Sequence, residues 1–138
     1  MYFHHKNKTI ATLLAALTGV VGLHRFYLRG MHDRWGWLHV AAAGLGLGLL
    51  RAGISEQAFF CLMPTILSML AGILQALVLG VMPDHIWDQR FNRGDAHASR
   101  SGWPLALTLV LTLGIGATVL IATIARTFDL LFTGGAFG

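Results

Sequence analysis

The chain has 138 residues, of which 55% are hydrophobic and 12% are charged, and its mean hydropathy is +0.64. Soluble domains carry about 25% charged residues, so this chain has too few charges to cover a soluble domain of its size. The net charge of +4 comes from Lys and Arg residues that lie mostly between apolar blocks. Basic residues in such positions meet anionic lipid headgroups, so the charge does not indicate nucleic-acid binding. The composition predicts an all-α integral membrane protein.

Four uncharged apolar blocks follow one another, over 9–23, 35–50, 58–82 and 103–125. At about 1.5 Å per helical residue, the last two blocks are long enough to cross a hydrocarbon core of about 30 Å. The first two reach only about 23 Å, so they cross only if their ends extend or the bilayer thins. We expect a compact bundle of four transmembrane helices, two short and two long, over 9–28, 33–50, 58–82 and 103–126. A shallow first hairpin is the alternative.

The four predicted helices form two hairpins, over 1–50 and 51–138, the second with an interfacial loop over 83–102. Four crossings place both termini and the loop 51–57 on one side, with four basic residues. The loops 24–34 and 83–102 then lie opposite with six, which predicts cytoplasmic loops and external termini. All four tryptophans flank these two loops and predict an aromatic belt: Trp35, Trp37, Trp87 and Trp103. The start also resembles a signal peptide, but no small-residue cleavage site follows it.

Small residues recur at four-residue spacing inside the blocks, which lets helix backbones approach closely in lipid. The glycines predicted to pack helices are Gly19, Gly22, Gly44, Gly48, Gly72, Gly80 and Gly116. These rows serve packing within one chain or, alternatively, a homo-oligomer. Two polar side chains interrupt the blocks, His39 and Gln75. We expect Gln75 to bond across helices and His39 to bond to a backbone carbonyl or to a neighbouring helix, because an unpaired polar group in lipid is costly.

The most informative stretch closes the first predicted span and reads Gly-Val-Val-Gly-Leu-His-Arg-Phe-Tyr-Leu over 19–28. It resembles the signature of the TM2 domain family, whose first span follows a lysine-rich entry such as Lys6-Asn7-Lys8. The resemblance covers residues 6–50 and implies a membrane hairpin in a bacterial inner membrane. Two features depart from the family: Leu28 is followed by Arg29-Gly30 rather than by Gly and a basic residue, and the second block lacks a late Asp.

The end of this motif also suits a bilayer interface on physical grounds. The Arg25 stem can lie among acyl chains while its guanidinium reaches phosphates. A second arginine-rich segment follows the third block. The residues predicted to contact anionic headgroups or a membrane partner are His24, Arg25, Phe26, Tyr27, Arg29, Arg34, Arg90 and Arg93. The plainer alternative is an interfacial anchor and turn without a ligand.

The third loop carries Asp84 and Asp88 four residues apart, with His85 beside them. Two carboxylates and an imidazole are weak candidates for a divalent metal site. However, the chain has only six Asp and Glu in total. An amphipathic interfacial turn, with Asp84 as the N-cap after Pro83, is the simpler interpretation. With no phosphate loop, catalytic triad or zinc spacing, we expect neither a metal nor a cofactor.

These features predict a non-enzymatic multi-pass membrane protein whose Arg- and Trp-rich loops contact anionic lipid headgroups or a membrane partner protein. A second copy of the chain or a larger membrane protein is the expected protein partner. An oligomeric channel or pore is one alternative. A small metal-dependent, lipid-active enzyme using Asp84, His85 and Asp88 is the other.

Overall fold

The computed structural model describes residues 5–54 and 57–137, and every regular element in these ranges is helical. The elements are α1 (Lys8–Thr18), a 3₁₀ turn (Gly19–Val21), α2 (Leu23–Arg29), α3 (Arg34–Arg51), α4 (Ala58–Cys61), α5 (Met63–Val81), α6 (Asp84–Phe91) and α7 (Trp103–Thr133). The all-α class is confirmed.

Two helices of the described ranges, α5 and α7, are long and apolar enough to cross a membrane. Only 22% and 17% of their most apolar windows are buried by the rest of the chain. A core helix of a soluble protein would be mostly covered, whereas exposed apolar faces of this length suit a lipid solvent. By length and composition only these two helices of the described ranges qualify, so the predicted count of four transmembrane helices is not confirmed.

Helix α5 is the centre of the bundle, and α1, α3 and α7 all pack against it. Helix α5 meets α3 in reverse order of residue number: Thr65 lies against Gly46, and Gln75 lies against His39. Helix α3 is therefore antiparallel to α5. Helix α7 is also antiparallel to α5. Leu109, near the start of α7, contacts Gly80, whereas Gly116, further along α7, contacts Ile73.

The segment predicted as the first span folds back on itself. The Lys6 Nζ donates to the Leu28 carbonyl at 2.5 Å, and the Asn7 N–H donates to the Tyr27 hydroxyl at 2.9 Å. Both ends of the segment therefore lie at the same end of the bundle. The continuous helix predicted over 9–28 is wrong, because Gly22 takes a left-handed conformation (φ +72°) that ends the 3₁₀ turn and reverses the chain.

The tip of this α1–α2 hairpin reaches the middle of α5. A Cβ on Gly19 would lie 2.6 Å from the Gly72 Cα, so the two backbones touch there. The turn frees the carbonyl of Val20 from helical bonding, and the Ser68 hydroxyl donates to it at 2.7 Å. Irregular backbone is tolerated at membrane depth only when protein satisfies it in this way.

The remaining packing glycines divide into two groups. A Cβ on Gly22, Gly80 or Gly116 would lie within 3.0 Å of a neighbouring side chain, so these three lie at close helix contacts. A Cβ on Gly44 or Gly48 would meet nothing within 4 Å. Those two glycines therefore do no packing within the described chain and face outward from α3.

The reversal places the N-terminal segment beside the third loop. Lys8 pairs with Asp84 at 2.9 Å and His5 with Asp95 at 2.9 Å. The predicted grouping of the N-terminus with the loop 51–57 is therefore wrong. We call the end formed by residues 5–8, 29–34 and 82–102 the basic end; together with Arg25 of α2 it carries eight of the ten Lys and Arg. Arg51 and Arg126 lie toward the other end.

Helix α6 packs into the bundle at the basic end rather than lying on its surface. Trp87 is fully buried among Ala11, Ala15 and other core residues, and its indole N–H donates to the Lys6 carbonyl at 3.0 Å. The predicted belt is therefore wrong for Trp87, while Trp35, Trp37 and Trp103 are exposed. The predicted N-cap is also displaced, because Pro83 holds that position and Asp84 is the first helical residue.

Candidate functional site

A chain of polar side chains crosses the bundle between α2, α3 and α5. Arg25 donates to Asp33 through Nε at 2.5 Å and to the Gln75 Oε1 through Nη1 at 3.0 Å. The Gln75 amide also contacts His24 at 2.7 Å and His39 at 3.1 Å. The prediction that Gln75 bonds across helices is confirmed, and of the two partners expected for His39 the neighbouring helix is the one observed. Their partners show that the TM2-like motif is tied to the central helix.

Hydrogen-bond chemistry fixes the direction of every bond in this chain. Arginine only donates, so the Gln75 atom facing Arg25 must be its oxygen, and the ring nitrogen of His24 on that oxygen must carry a proton. The Gln75 NH₂ then donates to His39 Nε2, so the proton of the His39 ring lies on Nδ1. His39 Nδ1 donates to Ser68 at 2.7 Å, and Ser68 donates onward to the backbone.

One polar atom of this hydrogen-bonded group of side chains lacks a partner. His24 is 1% exposed, and its Nδ1 has no hydrogen-bond partner among the described residues. Because Nε2 carries the proton, Nδ1 of the neutral ring is a buried lone pair that lacks a donor. A buried polar atom without a partner costs about 1–3 kcal/mol.

His24 lines a cavity of about 150 Å³ that opens between α2, α5 and α6. Its polar lining is His24, Arg25, Arg29, Gln75 and Arg90, and its apolar lining includes Leu28, Val78, Leu79, Met82 and Phe91. Asp33 pairs with Arg25 and also lies 3.8 Å from Arg29, so two of the three guanidinium groups share one carboxylate. Arg90 lies over the Phe91 ring, and no described carboxylate pairs with it. The cavity is therefore positively charged.

The structure brings four of the predicted contact residues to this cavity: His24, Arg25, Arg29 and Arg90. Phe26 instead packs on Gly36 and on Trp37, with ring centroids 5.5 Å apart, and Tyr27 holds the N-terminal segment. Arg34 and Arg93 are exposed at the basic end outside the cavity lining.

The sequence prediction did not identify Asp33 as part of the site. Its carboxylate also caps α3 by accepting from the Gly36 N–H at 3.1 Å. An Asp directly before the first residue of a predicted helix is a recognisable capping signal, but nothing in its spacing reveals the pairing with Arg25.

A second polar cluster fastens the N-terminal segment to the third loop. Lys8 is 7% exposed, and its Nζ donates to Asp84, to Ser101 and to the Met82 carbonyl. The hydrogen bonds from the Ser101 hydroxyl, followed by those from Lys8, lower the pKa of Asp84 from 3.8 to about 2. We call Lys8, Asp84 and Ser101 the latch.

The candidate metal ligands lie in and beside the latch. Asp88 accepts from Ser99 and Asn92, while Asp84 is held by the latch. Among residues 5–54 and 57–137, no group of three His, Cys, Asp or Glu could hold a metal ion. The carboxylates of Asp84 and Asp88 stabilise the packing of the third loop.

The broken first helix, α3 and part of the polar chain lie within one stretch of sequence that has a family counterpart. Residues 4–54 match the TM2 domain family. The resemblance carried by the 19–28 motif is thus confirmed. The TM2 domain contains α1, α2 and α3, so it supplies His24, Arg25 and His39, whereas Ser68 and Gln75 come from beyond it. Neither a curated protein nor a solved structure matches the chain. The TM2 domain and the two apolar helices indicate a membrane protein.

Proposed function

We propose that this is a non-enzymatic multi-pass membrane protein whose basic end binds anionic lipid headgroups. The observation that carries the proposal is the charge distribution, with eight of the ten Lys and Arg at one end of an apolar bundle. Its exposed arginines are Arg29, Arg34, Arg90, Arg93 and Arg100, and Trp35, Trp37 and Trp103 are exposed near them. Each basic residue near an anionic surface contributes about 1 kcal/mol to attraction, and tryptophans favour the same depth.

The arrangement in the membrane follows from the same distribution. We propose that α3, α5 and α7 cross the bilayer and that the α1–α2 hairpin enters from the basic end and returns to it. The 18 residues of α3 give about 27 Å, which is close to a hydrocarbon core. Eight basic residues against two favour a cytoplasmic basic end under the positive-inside rule, in a bacterial inner membrane.

Cysteine labelling tests this topology against four crossings. In a Cys61→Ser background, His5→Cys, Ala98→Cys and Ala52→Cys are treated in intact cells with an impermeant thiol reagent. We expect only Ala52→Cys to label. Four crossings predict instead that His5→Cys labels together with Ala52→Cys, so the behaviour of His5→Cys decides between them.

Lipid retention tests the function. The purified protein is incubated with mixed micelles of phosphatidylglycerol and phosphatidylcholine, and retained lipids are counted by mass spectrometry. The triple variant Arg34→Gln, Arg93→Gln, Arg100→Gln should weaken the anionic preference, and added salt should weaken that of the unaltered chain. Arg51→Gln, exposed at the opposite end, is the matched control. An unchanged preference in the triple variant contradicts the proposal.

A homo-oligomer is the second candidate, and the outward-facing Gly44 and Gly48 of α3 favour it. Gly44→Leu should then dissociate the oligomer in detergent without unfolding the protomer. An unchanged mass by light scattering removes this candidate.

A further inference from the structure

We propose that the cavity between α2, α5 and α6 binds one anionic phospholipid whose headgroup also carries a hydroxyl, with the phosphate on the arginines and the hydroxyl on His24 Nδ1. The inference rests on the proposed function, since it requires the basic end to meet lipid. It adds a single stoichiometric site with a defined headgroup chemistry.

The charge of the cavity selects the phosphate. Arg25, Arg29 and Arg90 line it, and Asp33 neutralises one of these three charges. Two positive charges therefore remain around a space of about 150 Å³. Guanidinium groups match phosphate oxygens in geometry and charge, and their hydrogen bonds are stronger than neutral ones. Arg90 is the group best able to turn toward a ligand, because it is exposed and no described carboxylate holds it.

The unpartnered nitrogen selects the hydroxyl. A phosphodiester offers only acceptor oxygens and cannot donate to the lone pair on His24 Nδ1. A headgroup ammonium could donate, but it would be repelled by the surplus positive charge of the same cavity. A headgroup hydroxyl donates without charge and removes the cost of the buried lone pair.

The wall of the cavity selects a lipid over a free phosphate ester. Val78 belongs to the lining and is 54% exposed on α5, the helix best suited to cross the membrane. Leu79 and Met82 continue this apolar wall toward the basic end. Acyl chains attached to the bound headgroup can therefore lie along the exposed face of α5, which a soluble ester would leave uncovered.

Three ligands and two variants test the site in detergent by native mass spectrometry. Phosphatidylglycerol carries the phosphate and the hydroxyl, phosphatidylmethanol carries the same charge without a hydroxyl, and glycerol 1-phosphate lacks the acyl chains. We expect one phosphatidylglycerol per chain, with phosphatidylmethanol bound about fivefold more weakly. Arg90→Gln should weaken phosphatidylglycerol binding about tenfold. Arg93→Gln, on the same surface but outside the cavity, should change it less than twofold.

Each contrary result removes a specific part of the argument. Equal losses in Arg90→Gln and Arg93→Gln mean diffuse attraction, which overturns the site and leaves the proposed function standing. Equal binding of phosphatidylmethanol and phosphatidylglycerol overturns the role given to His24. Binding of glycerol 1-phosphate as tight as that of the lipid overturns the assignment to a lipid. No preference for anionic lipid in the unaltered chain overturns the proposed function itself.

Discussion

The contact between the hairpin tip and α5 makes Gly72→Ala the sharpest test of the fold. A Cβ at this position would lie 2.5 Å from the Gly19 Cα, 2.7 Å from its carbonyl carbon and 2.9 Å from its oxygen. All three atoms belong to backbone, so no side-chain rotation can relieve the clash. The tip must withdraw by about 1 Å to reach an ordinary carbon contact of about 3.5 Å.

The cost of Gly72→Ala can be worked from these contacts. Overpacking of a close-packed site costs about 1–3 kcal/mol, and rigid backbone on both sides places it at the upper end. Withdrawal also stretches the Ser68 bond to the Val20 carbonyl, which contributes about 1 kcal/mol. Alanine returns about 1 kcal/mol through its higher helix propensity. We expect a net loss of about 3 kcal/mol in the free energy of unfolding.

Unfolding in mixed micelles with increasing dodecyl sulfate, followed by circular dichroism, measures the change. The matched control is Gly44→Ala, because a Cβ there meets nothing within 4 Å. The control should be neutral or stabilised by up to about 1 kcal/mol. If Gly72→Ala is as stable as Gly44→Ala, the hairpin does not rest on α5 and the re-entrant arrangement is refuted.

Three further changes address the polar clusters, each assayed by the same unfolding titration. Gln75→Leu should cost about 1–3 kcal/mol, because it leaves Arg25 and both histidines without their shared partner; a neutral result would show that water replaces the amide. Asp33→Asn keeps a capping oxygen but leaves Arg25 unpaired, so we expect a loss of about 2 kcal/mol, and Asp33→Ala should be worse. The stabilisation by the latch should increase as the pH rises, because the pKa of Asp84 is lowered in the folded protein. This stabilisation is complete above pH 3.8 and is lost as the pH falls toward about 2. Asp84→Asn should remove about 1 kcal/mol at pH 7 and abolish that acid dependence, and a variant that keeps it would contradict the assignment.

Hydropathy located the long helices well and misjudged their ends. Helix α5 begins at Met63 rather than at 58, because Pro64 suits a first helical turn and separates α4 from it. Helix α7 continues to Thr133, beyond the predicted end at 126. Arg126 and Asp129 pair at 2.6 Å on successive turns, which lets the helix continue past its apolar part.

The reversal at Gly22 could not be predicted from the sequence with the same rules. A glycine inside an apolar block indicates a close helix contact as readily as a left-handed turn, and only the contacts of the chain ends distinguish the two. The sequence predicted that Gln75 bonds across helices, but its partners are defined by the register of α3 and α5. The cavity likewise depends on α6 packing inward through Trp87. The sequence placed this tryptophan in a loop and so predicted that it is exposed at the membrane interface.

The division of the polar chain between two parts of the sequence bears on how the protein is assembled during synthesis. The TM2 domain is made before α5, so the amide and hydroxyl that complete its polar chain, on Gln75 and Ser68, are made later. Until α5 enters the bilayer, the freed Val20 carbonyl and His24 have no protein partner in lipid, which is costly. The hairpin should therefore wait near the membrane surface and reach its final depth only after α5 has inserted. Biogenesis would then proceed from the centre of the chain outward, with the N-terminal residues the last to be buried.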